Sequence, residues 1–192
     1  MERIGSPGKT REIIEKYGFY FKKSFGQNFL IDGNILDAIA DAADVTKDDT
    51  VLEIGPGIGS LTETLAARAK RVVAVEIDKN LIPILADTLR HCPNVEVINA
   101  DILKTDLSAL SAEKNEGRPF KVVANLPYYI TTPVMEYLIE NRKHVTSLTV
   151  MMQKEVAARM CATPEKGDYG AISVFLAYHT CPKVDFVVSP KC

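Results

Sequence analysis

The chain of 192 residues contains no tryptophan, only three histidines and only four cysteines. The cysteines, Cys92, Cys161, Cys181 and Cys192, are widely spaced and form no C-x-x-C pair. That argues against a zinc site or a disulfide framework and for free thiols in a reducing compartment. No apolar run reaches the roughly 20 residues needed to span a bilayer, and the first residues lack the apolar core of a signal peptide. The expectation is a soluble, cytoplasmic chain with no membrane partner. Charge is nearly balanced at 23 basic against 25 acidic residues, so no overall basic field points to nucleic acid. What is present, 46% hydrophobic content at this length, suits one ordinary domain with a substantial core.

The charge is unevenly placed. Between Met1 and Gln27 there are six basic residues (Arg3, Lys9, Arg11, Lys16, Lys22 and Lys23) and three acidic ones (Glu2, Glu12 and Glu15). The segment can touch phosphate, or it can be a solubilising, partly disordered leader, which charge alone favours. Tyr17, Phe19, Tyr20, Phe21 and Phe25 interleave with the lysines and suit either base stacking or anchoring of the arm on the domain.

Beyond the arm, apolar periodicity predicts a helix over Asn34 to Ala43, with Asp32 or Asn34 as its cap. Strands and helices then alternate. Strands are expected at Thr50 to Ile54, Val72 to Ile77, Val95 to Ala100, Lys121 to Asn125 and Ser147 to Met152. Helices are expected at Ser60 to Ala69, Asn80 to Arg90 and Glu155 to Met160. A further helix is expected to be capped by Thr132, with Pro133 at its first position. Asp106 to Pro119 reads as a connection with a short helical turn, Ala171 to Tyr178 as a strand, and Lys183 to Val188 as its extension or partner. Apolar strands alternating with helices imply an α/β fold with a mostly parallel sheet and helices on both faces.

The densest signal is VLEIGPGIG, from Val51 to Gly59. An apolar strand runs into glycines at alternate positions and then into a helix, which brings bare backbone and a helix N-terminus against a ligand. About 20 residues on, the next strand ends in Glu76, the acidic position that holds ribose hydroxyls in a Rossmann-like crevice. A dinucleotide site wants a third glycine where Ser60 stands, which weakens a nicotinamide dehydrogenase reading. The order E-x-G-x-G-x-G, from Glu53 to Gly59 with Pro56 stiffening the turn, is similar to that of S-adenosylmethionine-dependent methyltransferases.

Two more groups fall at the same sheet edge. Asp101 follows the third strand and can accept a hydrogen bond from an adenine amino group, although an Asp ending a strand also serves as a cap. Asn125-Leu126-Pro127-Tyr128 follows the fourth strand and offers an amide, carbonyls, a stiff proline and an aromatic ring. An exocyclic adenine amine is a poor nucleophile because its lone pair is delocalised into the ring. Acceptors on both of its N–H groups, Asn125 Oδ1 and the Leu126 carbonyl, favour a reactive pyramidal nitrogen, and the Tyr128 face suits a flipped base.

Along nearly its whole length the chain resembles the KsgA/RsmA family of small-subunit ribosomal RNA adenine N6-dimethyltransferases. The stretches that carry the resemblance are KKSFGQNFL (Lys22 to Leu30), EIGPGIGSLT (Glu53 to Thr62), VEID (Val75 to Asp78), Ala100-Asp101, NLPYYITTP (Asn125 to Pro133) and QKEVAARM (Gln153 to Met160). The resemblance implies a Rossmann-like methyltransferase fold and S-adenosylmethionine as cofactor. It implies contacts with that cofactor at Gln27, Asn28 and Leu30, at Gly55 and Gly57, at Glu76 and Ile77, at Asp101 and Ile102, and at Asn125. It further implies methylation of N6 on two adjacent adenines near the 3′ end of small-subunit rRNA by a monomer acting on assembling small ribosomal subunits. Lys22, Lys23, Lys154 and Arg159 are candidate RNA contacts, with a helical Glu155–Arg159 ion pair as the competing role of Arg159. The expected organisation is an arm and cofactor-contacting segment over 1–33 and a catalytic domain over 34–192. Relatives continue past the position of Cys192, so a final strand and a small helical domain are expected to be missing and RNA methylation impaired. Two rivals remain: an Erm-type enzyme, which methylates large-subunit rRNA, and a ribosome-assembly factor that keeps the fold and hardly catalyses.

Overall fold

The computed structural model describes residues 2–18, 30–127 and 129–189. Its centre is a five-stranded sheet in the order β3-β2-β1-β4-β5, with every neighbouring pair parallel. The strands are β1 (Thr50–Ile54), β2 (Arg71–Glu76), β3 (Val95–Asn99), β4 (Phe120–Asn125) and β5 (Val145–Met151). Helices α1 (Pro7–Tyr17), α2 (Gly33–Ala42), α3 (Ser60–Arg68), α4 (Ile82–Thr88), α5 (Leu107–Lys114), α6 (Thr131–Glu140), α7 (Lys154–Met160) and α8 (Ala171–His179) complete it.

The strands are continuous apolar runs because both faces of the sheet are covered. Leu52, Ile54, Val73, Val75, Val122 and Ala124 join Phe120, Val134 and Leu138 in one core cluster. Val51, Val72 and Val123 join Leu36, Ile39, Leu61 and Leu65 in another. Chain order reverses between β1 and β4, where strands leave the centre in opposite directions. In open α/β sheets, ligands bind beyond the carboxyl ends of the strands at such a point.

The arm differs from the leader that its charge suggests. Ser6 caps α1 by accepting the Lys9 N–H at 3.1 Å, Pro7 occupies the first turn, and Gly18 ends the helix in the left-handed conformation. Ile4 and Ile13 are buried with Ile58, Leu81, Ile84 and Leu85. Three of its four described cations face acids: Arg3 meets Asp37 at 2.8 Å, Lys16 meets Asp87 at 2.6 Å, and Lys9 meets Glu12 at 2.8 Å, while Arg11 lines the cavity. The described arm, residues 2–18, is therefore a capped helix over Pro7–Tyr17 with a short lead-in, held to the domain. Lys22 and Lys23 lie outside the described residues.

Three local expectations need correction. Ala171–His179 is helix, not strand: the Gly170 N–H donates to Ser173 Oγ at 3.2 Å, the Ser173 hydroxyl donates to the Arg159 carbonyl at 2.6 Å, and Leu176 is buried with Met135, Ile139 and Met160. Residues 181–189 form no strand with it. Helix α6 begins at Thr131 after Ile130, so Thr132 and Pro133 lie inside its first turn rather than at its cap. The connection before β4 is a true helix, α5, capped by Asp106, which accepts N–H bonds from Ser108 and Ala109.

Candidate cofactor and adenine site

The glycine turn is built as its spacing demands. Gly55, Gly57 and Gly59 all have positive φ (72°, 62° and 95°), a region that side chains with a Cβ rarely occupy. The Gly55 N–H donates to the Val75 carbonyl at 3.0 Å, tying the turn to the end of β2. Gly59 has a second constraint, since a Cβ there would stand 3.0 Å from the Leu89 side chain. Gly59 thus seats α3 against the chain following α4, and Gly55 and Gly57 are the glycines that face the cavity.

Glu76 ends β2 with its carboxylate buried. One oxygen accepts the Asp78 N–H at 2.8 Å, and the backbone N–H groups of Gly57 and Ile77 lie near enough to favour the charged carboxylate. Burial raises its pKa, and these backbone donors act against the rise. A carboxylate has about four lone-pair sites, so acceptor capacity remains for a ligand hydroxyl. Beside it, Ile77 is 57% exposed, a large apolar side chain held at the cavity wall.

Asp101 takes the cap role that its sequence position left open, and it also lines the cavity. Its Oδ1 accepts the Leu103 N–H at 3.0 Å, capping the short 3-10 turn Ile102–Lys104, while Oδ2 faces Lys104 at 3.7 Å. Asn125 ends β4, and the Leu126 N–H donates to the Met151 carbonyl at 3.3 Å. Gly55, Gly57, Glu76, Ile77, Asp101, Ile102, Asn125, Leu126, Pro127 and Leu30 all line one cavity. Gln27, Asn28 and Tyr128 lie outside the described residues. Lys154 lines the same cavity, Arg159 does not, and no Glu155–Arg159 ion pair forms among the described residues.

One residue at this edge escaped the motif reading as a site residue. Glu53 is 1% exposed, and burial pushes its carboxyl up to about 8, with the negative Glu76 adding to the rise. The Thr62 hydroxyl acts against that rise without making a full hydrogen bond. Glu53 Oε2, Ser60 Oγ and Thr62 Oγ1 are three of the four buried side-chain atoms without a partner among the described residues. The glutamate was visible in E-x-G-x-G-x-G, but its burial depends on how α3 covers β1.

The cavity measures about 2050 Å³, beyond the roughly 300–1,000 Å³ usual for a small-molecule site. It extends from the glycine turn past β5 to the extended residues 181–189. The crevice at the carboxyl edge is therefore one part of a larger, open cavity.

The family model for ribosomal RNA adenine dimethylase matches residues 18–188. The chain belongs to the ribosomal RNA adenine dimethylase family. Ribosomal RNA small subunit methyltransferase A of Alkaliphilus oremlandii is 58% identical over 191 residues, covering 100% of this chain and 67% of that protein. The protein of the same name from Clostridioides difficile is 52% identical over 93% of this chain and 62% of its own length. The chain thus spans about two thirds of the length of these curated relatives. Among solved structures, the 23S rRNA methyltransferase ErmE matches with a TM-score of 0.60 and 36% identity, over 69% of this chain and 50% of that one. A dimethyladenosine transferase from Plasmodium falciparum matches at 0.65 and 32%, over 76% and 50%. The dimethylases are S-adenosylmethionine-dependent rRNA adenine methyltransferases of Rossmann-like fold, and the five parallel strands place this chain among them. No helix among the described residues is long and apolar enough to cross a membrane.

The residues present fit that cofactor. Positive-φ glycines leave a bare backbone cradle, Glu76 supplies acceptors for paired hydroxyls, and Ile77 and Ile102 supply apolar faces beside Asp101.

Proposed function

We propose that this chain carries the cofactor and target-adenine site for N6-dimethylation of two adjacent adenines near the 3′ end of small-subunit rRNA. The supporting observation is the convergence of Gly55, Glu76, Asp101 and Asn125 on one cavity at the carboxyl ends of four neighbouring strands. In this reading Gly55 and Gly57 admit the cofactor to the main chain, Glu76 accepts its ribose hydroxyls, and Asp101 accepts its adenine amine. Ile77 and Ile102 flank its adenine ring. Gln27, Asn28 and Leu30 complete its surroundings.

S-adenosylmethionine, when bound, supplies a methyl group activated by positive sulfur. The protein's contribution is therefore orientation and exclusion of water rather than a strong base. Asn125 Oδ1 and the Leu126 carbonyl accept from the two N–H groups of the target amine and favour its pyramidal, nucleophilic form. Pro127 stiffens that turn, and the Tyr128 ring stacks on the base. Lys22, Lys23, Lys154 and Arg159 are the candidate phosphate contacts. We assign a cytoplasmic monomer acting on assembling small subunits.

Incubation with labelled S-adenosylmethionine and, side by side, unmethylated small-subunit and large-subunit particles tests the reading. Label on adenines of the small subunit, lost in Asn125→Ala, is expected. Label confined to the large subunit would replace it with the Erm-type activity.

A further inference from the structure

Among the described residues between two buried anchors of the site, one aromatic ring is held out into the cavity. Leu126 and Thr131 are buried, whereas Tyr129 is 62% exposed and lines the cavity wall. This exposure belongs to a fastened turn. The Ile130 N–H donates to the Pro127 carbonyl at 3.2 Å, the Thr131 hydroxyl donates to the same carbonyl at 3.1 Å, and the Val134 N–H donates to Ile130 at 3.0 Å as α6 begins. No ring contact or hydrogen bond of Tyr129 is found among the described residues. The other strongly exposed tyrosine, Tyr178, differs: its ring meets His179 edge to face at 4.8 Å.

An exposed phenol ring without a partner among the described residues, at the mouth of the proposed adenine pocket, matches the chemistry of a stacking platform, since every base offers a π-face. It lies in the turn that leads directly from Asn125 and Leu126, so a base adjacent to one held there is within its reach. We infer that Tyr129 stacks on the nucleobase next to the target adenine, so that the enzyme engages the two adjacent adenines as a pair. This rests on the rRNA reading above. Tyr129 acts by positioning; the acceptors for the amine stay Asn125 and Leu126.

The test uses two fluorescein-labelled RNA hairpins in saturating S-adenosylhomocysteine. One has two adjacent loop adenines; the other has an abasic nucleotide in place of one of them. Fluorescence anisotropy is expected to show the unsubstituted chain binding the first about tenfold more tightly, the size of one base–aromatic stack. Tyr129→Ala and Tyr129→Leu are expected to erase that preference, and Tyr129→Phe to keep it, all with unchanged binding of S-adenosylhomocysteine. If Tyr129→Ala fails to fold, the Leu and Phe variants decide, because both retain bulk and only one retains a ring. A preference that survives Tyr129→Leu, or an equal loss on both hairpins, would overturn the inference while leaving the rRNA reading in place. Failure of the unsubstituted chain to bind either hairpin while it binds S-adenosylhomocysteine would overturn both.

Discussion

The packed middle of the sheet and its β5 side are built to different standards. The middle of the sheet supports the glycine turn, and every residue of β1 is buried, as are all but the first of β2, though the outer strand β3 has no fully buried residue. On the other side, no residue of β5 is fully buried, and Val174, Tyr178, Val184 and Val187 stand exposed around α8 and the extended residues after it. Tight packing fixes the groups that a small cofactor must find within fractions of an ångström. Looser cover on the β5 side leaves apolar side chains exposed. The contrast puts the candidate cofactor groups on the packed part of the sheet.

The sharpest way to break the comparison is to remove one phenylalanine from each side. Phe120 is completely buried at the start of β4, and Phe120→Ala is expected to lower stability by about 3–5 kcal/mol. Phe186 is 38% exposed in the extended segment, and Phe186→Ala is expected to cost less than about 1 kcal/mol. Urea denaturation of both variants measures the difference, and equal losses would show that the two sides pack alike.

A smaller effect concerns Glu53. Its folded-state pKa of about 8 lies above that of an exposed carboxyl, so the folded protein holds a proton that the unfolded chain releases. Stability from this group is complete below about pH 4.5 and is lost as pH rises through 8. Glu53→Gln, which cannot ionise, is expected to melt several degrees above the unsubstituted chain at pH 8.5 and close to it at pH 5. An unchanged difference between these pH values would mean that Glu53 is already ionised in the folded state.

The packed side was also the more legible in sequence. Alternate glycines between an apolar strand and a helix have few structural uses, and Glu76, Asp101 and Asn125 follow apolar runs whose length and spacing fit a parallel sheet. The β5 side misled because local pattern was ambiguous there. AISVFLAY has the β-branched and aromatic content of a strand, yet the contacts of Ser173 with Arg159 and of Leu176 with Met160 settle it as helix. The arm misled for another reason: its cations were counted without their partners, Asp37 and Asp87, which lie far along the chain. The orphaned polar atoms around Glu53 were invisible because burial there depends on tertiary cover.

The most direct measurement is calorimetric titration of the chain with S-adenosylmethionine and, separately, with NAD, repeated on Glu76→Ala. Binding of S-adenosylmethionine alone is expected, weakened about tenfold to a hundredfold in Glu76→Ala, the usual loss for a hydrogen bond to a charged group. Binding of NAD in preference, or equal affinity of Glu76→Ala and the unsubstituted chain for S-adenosylmethionine, would contradict the site described here.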